Sequence, residues 1–387
     1  MGITDLLIIL LSLAALFAGL TVAVLGLIWL ERKVLGRLQQ RLGPTRAGPM
    51  GLFQPLADAL KLILKEDIVP SSAEKAVFWI APVIVVLSAF VVWVTIPASH
   101  TLVVENLDLG LFYIIAVSVI GIMGLVMAGW GSANKYGTLG SLRAAAQLIS
   151  YEIPVIMVVV AVAMLAQSMD LRVIVERQGS YPFVLLQPLG LVIFFIAGLA
   201  EVGRTPFDIY HAESEVVGGP FVEYSGAHWS VFFLAEYINT FAIAALTTLL
   251  FLGGWAGPLL PPIVWFLLKT LAVVLVVFWV RGTFPRLRID QLMAFAWKAL
   301  VPLSFYAVIS TAIYQFYGWP AWSLSLMSLA GLLAVGYLVY QRMTGPARRV
   351  AQVRARQQAA MQSRRSGISG GPVAPPAAQT PSAPGQS

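Results

Sequence analysis

The stretch LAEVGRTPFDIYHAESEVVGG, Leu199 to Gly219, carries Glu201, Asp208, Glu213 and Glu215, and Glu223 follows just beyond it. This gathers acids in a chain of which only 11% is charged. Glu152 lies within the apolar run AAQLISYEIPVIMVVV, and Glu236 near the start of another. A carboxylate at such a position costs at least about 2.5–3.5 kcal/mol to insert when ionised. Closely spaced acids raise one another's pKa and titrate as a group. Such a group can take up and release protons near neutral pH, which is the chemistry of a proton relay. The competing reading is that each acid is neutralised by a buried base, with Lys269 as the intramembrane counterpart, or stays protonated. Pro154, two residues after Glu152, lacks an N–H and is expected to break the helix beside the acid.

The elements that must position these acids are membrane helices. The 387 residues are 59% hydrophobic, and the mean hydropathy is +0.83. Roughly twenty apolar residues cross a bilayer as a helix. Nine runs qualify: 6–30, 76–98, 110–130, 144–168, 183–203, 231–253, 261–280, 299–317 and 321–341, the last two joined by a tight Gly318-Trp319-Pro320 turn. The runs lack the alternation of a membrane barrel. The expected fold is therefore all-α, a polytopic helical bundle with about nine spans. The first run carries Asp5 in place of a basic n-region, so it reads as a retained helix rather than a cleaved signal. With the N-terminus outside, every Lys and Arg except Arg172, Arg177 and Lys269 falls on the cytoplasmic side or in the tail. That asymmetry fixes the expected orientation. It also assigns the net charge of +7 to topology and lipid attraction rather than to nucleic acid.

There are no cysteines, and the three histidines are scattered, so thiolate clusters and metal spacings are not expected. Any redox role must pass through a partner or a diffusible carrier. The transmembrane domain is expected over 1–341. The tail 342–387 is basic and then Pro/Ala-rich, and is expected to be disordered. Between the first two spans, Gln54-Pro55 reads as an N-cap followed by proline. Phe53, Leu56, Leu60, Ile63 and Leu64 then share one face, and Asp58, Lys61 and Lys65 another. This helix should lie in the cytoplasmic interface, as a surface anchor or as the lip of a lateral opening for an amphiphile. The arginines Arg32, Arg37, Arg41, Arg204, Arg281, Arg286 and Arg288 sit on that same side, where topology alone accounts for most of them.

Four motif groups together resemble a known family. They are LERKVLGRLQQRLGPTRAGPMGLFQPLADALKL, KYGTLGSLRAAAQLISYEIP, LAEVGRTPFD…AESEVVGG…EYSG…FFLAEY and FPRLRIDQLM…WK. In order and wording they resemble the H subunit of proton-pumping NADH–quinone oxidoreductase, respiratory complex I, over roughly residues 20–310. The resemblance implies a membrane component without a redox centre, helping to form the chamber through which a quinone substrate reaches the last iron–sulfur cluster. FMN and the clusters would reside in partner subunits. The partners would be hydrophilic quinone-site and iron–sulfur subunits and antiporter-like membrane subunits, in a bacterial cell membrane. By matching position, Glu152, Glu201, Asp208, Glu213, Glu215, Glu223 and Glu236 would couple quinone chemistry to proton translocation. Arg32, Arg37, Arg41, Phe53, Gln54, Asp58, Arg204, Phe207, Arg281, Arg286 and Arg288 would border the quinone passage.

The chain departs from the family pattern at Gly203, usually Asn, at Tyr210-His211, often Pro-Glu, and at Phe221-Val222, commonly His-Thr. Two alternatives stand beside this reading. One is the membrane anchor of a related ion-translocating hydrogenase. The other is a free-standing transporter using a Glu152–Lys269 ion pair.

Overall fold

The computed structural model describes the backbone of residues 3–179, 181–209 and 216–337. His211, Glu213, Glu215 and the tail 342–387 lie outside the described residues. The chain divides into Met1–Gly331, which holds all the packing considered below, and Leu332–Ser387.

Among the described residues every regular element is helical. Seven helices are long and apolar enough to cross a membrane. They are α1 (Ile3–Leu38), α3 (Lys75–Val92), α4 (Gly110–Gly131), α5 (Lys135–Ala166), α9 (Gly226–Phe251), α10 (Pro262–Thr283) and α11 (Ile289–Tyr317). Two shorter apolar helices, α8 (Pro188–Val202) and α12 (Ala321–Tyr337), occupy the remaining two predicted runs. The helix expected at the interface is α2 (Gln54–Ile63); α6 (Leu171–Arg177) and α7 (Phe183–Leu186) are short connectors.

The spans agree with the apolar runs, but their starts do not. α5 begins at Lys135 rather than 144, α9 at Gly226 rather than 231, and α11 at Ile289 rather than 299. Hydropathy marks only what sits in hydrocarbon, whereas a helix continues through polar turns until its end groups are satisfied. Asn134 does this for α5, its side chain accepting from the Tyr136 N–H. Gln54 is not the cap of α2, which is Phe53; the Gln54 amide instead donates to Asp58. The break expected at Pro154 is also absent, and α5 runs on through it. One missing N–H is tolerated there because buried Val155, Val158 and Val159 hold that stretch against its neighbours.

Close helix contact is set by small residues, as membrane packing requires. A Cβ on Gly124 of α4 would stand 2.5 Å from Val85 of α3. One on Gly129 would overlap the Gly137 carbonyl of α5.

Lys269 overturns its sequence reading. Its ammonium donates to the carbonyls of Leu252, Gly254 and Ala256 at 2.7, 3.0 and 2.7 Å. It therefore ties down the turn that follows α9, whose carbonyls beyond Phe251 lie outside the helical ladder. Among the described residues it makes no ion pair with Glu152, so the pair required by the transporter alternative is missing. Lys269→Met is expected to destabilise the protein by about 1–3 kcal/mol through the orphaned carbonyls. Thermal denaturation of the assembled protein in mild detergent reads this, and an unchanged midpoint would show that those carbonyls need no cation.

Candidate functional site

The site is built around the turn that follows α8. Gly203 ends that helix in the left-handed region at φ 71°, where its N–H bonds to Ala200. The Arg204 N–H bonds back to Leu199. Glycine and asparagine are the two residues that enter this conformation readily, so the departure at Gly203 preserves the turn. The reversal drives Arg204 into the bundle, where its side chain is 2% exposed.

There the guanidinium meets two carboxylates from different helices. Its Nη1 is 3.5 Å from Glu31 of α1, and its Nε is 3.1 Å from Glu236 of α9. The Tyr237 ring lies under it, 4.2 Å from Cζ to centroid. The Tyr237 hydroxyl donates to the other Glu31 oxygen, and Arg281 at the end of α10 also pairs with Glu31. Two acids and two bases thus form a neutral knot joining α1, α9, α10 and the turn after α8. Burial opposes the Arg204 charge, but the carboxylates of Glu236 and Glu31 outweigh it and hold its pKa above the ordinary value.

Beside the knot lies a cavity containing both Glu201 and Glu236. Its walls are Phe221, Trp229, Phe232 and Phe233, and its empty space is about 500 Å³, open solvent included. Phe221, one of the two residues departing before Glu223, thereby supplies an aromatic wall, its ring 4.6 Å from that of Phe232. Glu201 Oε2 and Glu152 Oε1 are buried atoms without a hydrogen-bond partner, and the two carboxylates are near enough to interact electrostatically. Gln147, one helical face away on α5, donates to the carbonyls of Ala200 and Phe207, both at 2.7 Å. This amide fixes the acidic loop to α5.

The remaining acids have separate settings. Asp208 faces Arg286 at 3.9 Å, where Leu287 N–H bonds the Pro206 carbonyl. Glu223 accepts from Asn134, the cap of α5. A carboxylate is favoured at that helix start. Next to it the buried Tyr224 hydroxyl, its pKa raised by burial, donates to the Phe78 carbonyl. Phe207 is packed between Tyr151 and Phe295, with centroids 5.5 and 6.5 Å away.

A second, polar cavity opens where α1 leaves the bundle, lined by Arg32, Arg41, Arg46, Gln54 and the chain between Leu42 and Thr45. Its empty space is about 930 Å³, open solvent included. Arg32 bonds Asp58 at 2.6 Å, tying α1 to α2. The far end of α2 is tied to α9: Ile68 N–H donates to Ser225 Oγ at 3.0 Å, and Asp67 pairs with His228. α2 thus spans from α1 to α9 with Leu56, Leu60 and Ile63 exposed. Phe53, Arg37 and Arg288 are exposed.

Sequence reasoning brought Arg204, Glu236 and Arg281 into the candidate set but assigned them to different tasks. It missed Glu31, Tyr237 and the Asp67–His228 pair. The available signal for Glu31 was its position at the end of an apolar run, the same signal that marked Glu236. Arg204→Met leaves buried carboxylates unbalanced and is expected to cost about 3–5 kcal/mol. Arg286→Ala, at a half-exposed pair, should cost less than about 1 kcal/mol. Equal denaturation midpoints for the two assembled variants would contradict the central place given to Arg204.

Comparison with known proteins places this arrangement in a family. The family model for NADH dehydrogenase matches residues 11–312. The chain is 49% identical over 304 residues to the H subunit of the NADH-quinone oxidoreductase of Dehalococcoides mccartyi strain CBDB1, covering 79% of this chain and 86% of that one. It is 45% identical over 325 residues to the second H subunit of the NADH-quinone oxidoreductase of Syntrophobacter fumaroxidans, covering 82% and 97%. With the H subunit of Brevibacillus brevis it shares 48% over 291 residues, covering 74% and 87%. The chain belongs to the NADH dehydrogenase family, as the multi-pass membrane H subunit of an NADH-quinone oxidoreductase.

Proposed function

We propose that this subunit forms part of the passage by which a quinone enters the complex, and that its buried acids pass the resulting charge change to proton translocation. The observation carrying this reading is Arg204, which touches Glu31, the chain neighbour of Arg32 in the polar cavity, and Glu236 in the wall of the acidic one. A single cation so placed ties the charge of Glu236 to that of Glu31.

On this reading α2 is the lip of a lateral opening. Its exposed leucines and isoleucine face the apolar tail of the substrate, while Arg32, Arg41, Arg46 and Gln54 present donors to the headgroup. Electrons would be supplied from FMN and iron–sulfur clusters held by partner subunits, among them a hydrophilic quinone-site subunit. Reduction of the quinone consumes protons and alters charge near Arg32 and Glu31. Arg204 then redistributes its attraction between Glu31 and Glu236. A carboxylate that loses its cation in a low-dielectric site favours its protonated form. The change passes to Glu201 and Glu152 and on towards antiporter-like membrane subunits. The N-terminus lies outside and the tail in the cytoplasm of a bacterial cell, as the basic residues imply. Glu213 and Glu215 belong to the same proposed relay.

Glu201→Gln and Glu236→Gln, each in the fully assembled complex, are expected to lower proton-coupled quinone reductase activity on the order of tenfold. Wild-type rates and proton yields in both variants would end the relay proposal. The clamp on α2 gives a second expectation. His228→Ala frees one end of the lip, so the KM for a long-tailed quinone should rise more than that for a short-tailed analogue. Parallel changes for both would place His228 outside the passage.

A further inference from the structure

A third cavity runs away from the acids into the membrane-spanning part of the bundle, between α3, α4, α5, α8 and α9. Its empty space is about 910 Å³, open solvent included. Along α9 its lining extends from Asn239 to Leu250, about 16 Å at the helical rise. The wall is aliphatic, with Phe194 on α8 and Leu111, Ile114 and Ile122 on α4. Two serines interrupt it, but each hydroxyl already donates within its own helix: Ser88 to the Val85 carbonyl at 2.9 Å, Ser118 to the Ile115 carbonyl at 2.8 Å. The wall therefore asks for no polar partner along its length.

Polar demand is confined to one end. Glu201 and Asn239 line the cavity there, and Glu201 Oε2 is buried without a hydrogen bond. A long apolar space with one acceptor at its end matches a molecule with one tail and one donating head. We propose that this cavity binds a single-chain alkylamine, its ammonium on Glu201 and its tail along α4 and α9, as a site separate from the quinone passage at Arg32 and Gln54. The apolar wall contributes through burial of the chain. The charge-assisted hydrogen bond to Glu201 fixes which end enters. Because the tail lies along the inner faces of α3, α4 and α9, an occupied cavity holds those helices apart along its apolar length.

The test uses the assembled complex in lipid nanodiscs and tetradecylamine carrying a diazirine near its chain end. Illumination and peptide mapping are expected to place the label on cavity residues such as Ile114, Val159 or Leu246, with loss of label when unmodified tetradecylamine competes. Glu201→Gln should weaken that competition about tenfold or more, as expected when a hydrogen bond to a charged group is lost. The matching tetradecanol probe should be little affected. Val159→Phe and Ile114→Phe fill the cavity at independent positions, and either should abolish the competed label. Label confined to the outward residues Val119 and Met123 of α4, or on the Arg32–Gln54 face, would overturn the proposal. So would equal competition in Glu201→Gln. The wild-type map decides the matter even where a filled variant fails to assemble.

Discussion

Arg204 between Glu31 and Glu236 is the constraint on which the rest of the structure depends. Unit charges about 4 Å apart attract by roughly 4 kcal/mol at the effective dielectric of a protein near its surface. Each charge also loses its hydration, so a buried pair often stabilises a protein no more than well-packed apolar groups do. The value of this knot lies in what it forbids. With Arg281 and the Tyr237 hydroxyl included, all four charges are balanced only when the ends of α1 and α10, the early turns of α9 and the turn after α8 are together. Displacing any of these strands a charge. Helices that could otherwise slide against one another in lipid are held in one arrangement at this level.

The same constraint explains how α2 is carried. A ten-residue helix cannot stand alone in water, and this one exposes its apolar face. It is held by polar ties at both ends, Asp58 to Arg32 on α1 and the Asp67 segment to Ser225 and His228 on α9. Because α1 and α9 are themselves joined through Glu31, Arg204 and Glu236, the two anchors of α2 cannot move independently. α2 and the acid cavity share one frame.

Much of this fold was legible from residues, and the limits have physical causes. Continuous apolar runs found every span, because lipid demands them. They could not find where α5 or α11 begins, because polar turns outside the hydrocarbon are helical too. The buried acids were legible individually, since a carboxylate in an apolar run is conspicuous. Their partners were not. Lys269 looked like the counterpart of Glu152 because both are intramembrane charges, yet it serves the carbonyls after α9. Glu31 stands beside basic residues that read as topology, although folding buries it and leaves Arg32 exposed. Neighbours in the acidic loop also part company: Glu201 enters a cavity, Asp208 turns to Arg286 and Glu223 to the cap of α5. Sequence proximity recorded a cluster of charges; the reversal at Gly203 decided which of them meet.

That division bears on how a charge change can travel. Had all the acids lain in one watery space, solvent would have screened each from its neighbours. Instead Glu236 and Glu201 line one cavity with aromatic walls, and Glu236 is linked to Glu31 through Arg204. An apolar wall keeps the local dielectric below that of water, so moving one proton or one guanidinium partner is felt at the next group more strongly than it would be through solvent. The buried, unbonded oxygens of Glu152 and Glu201 fit the same logic. A carboxylate already satisfied by several hydrogen bonds is held in one protonation state, whereas one lacking them can change state when its neighbour does. The proposed coupling therefore rests on incomplete satisfaction of these acids, and the neutral knot beside them supplies the rigidity that such incompleteness would otherwise remove.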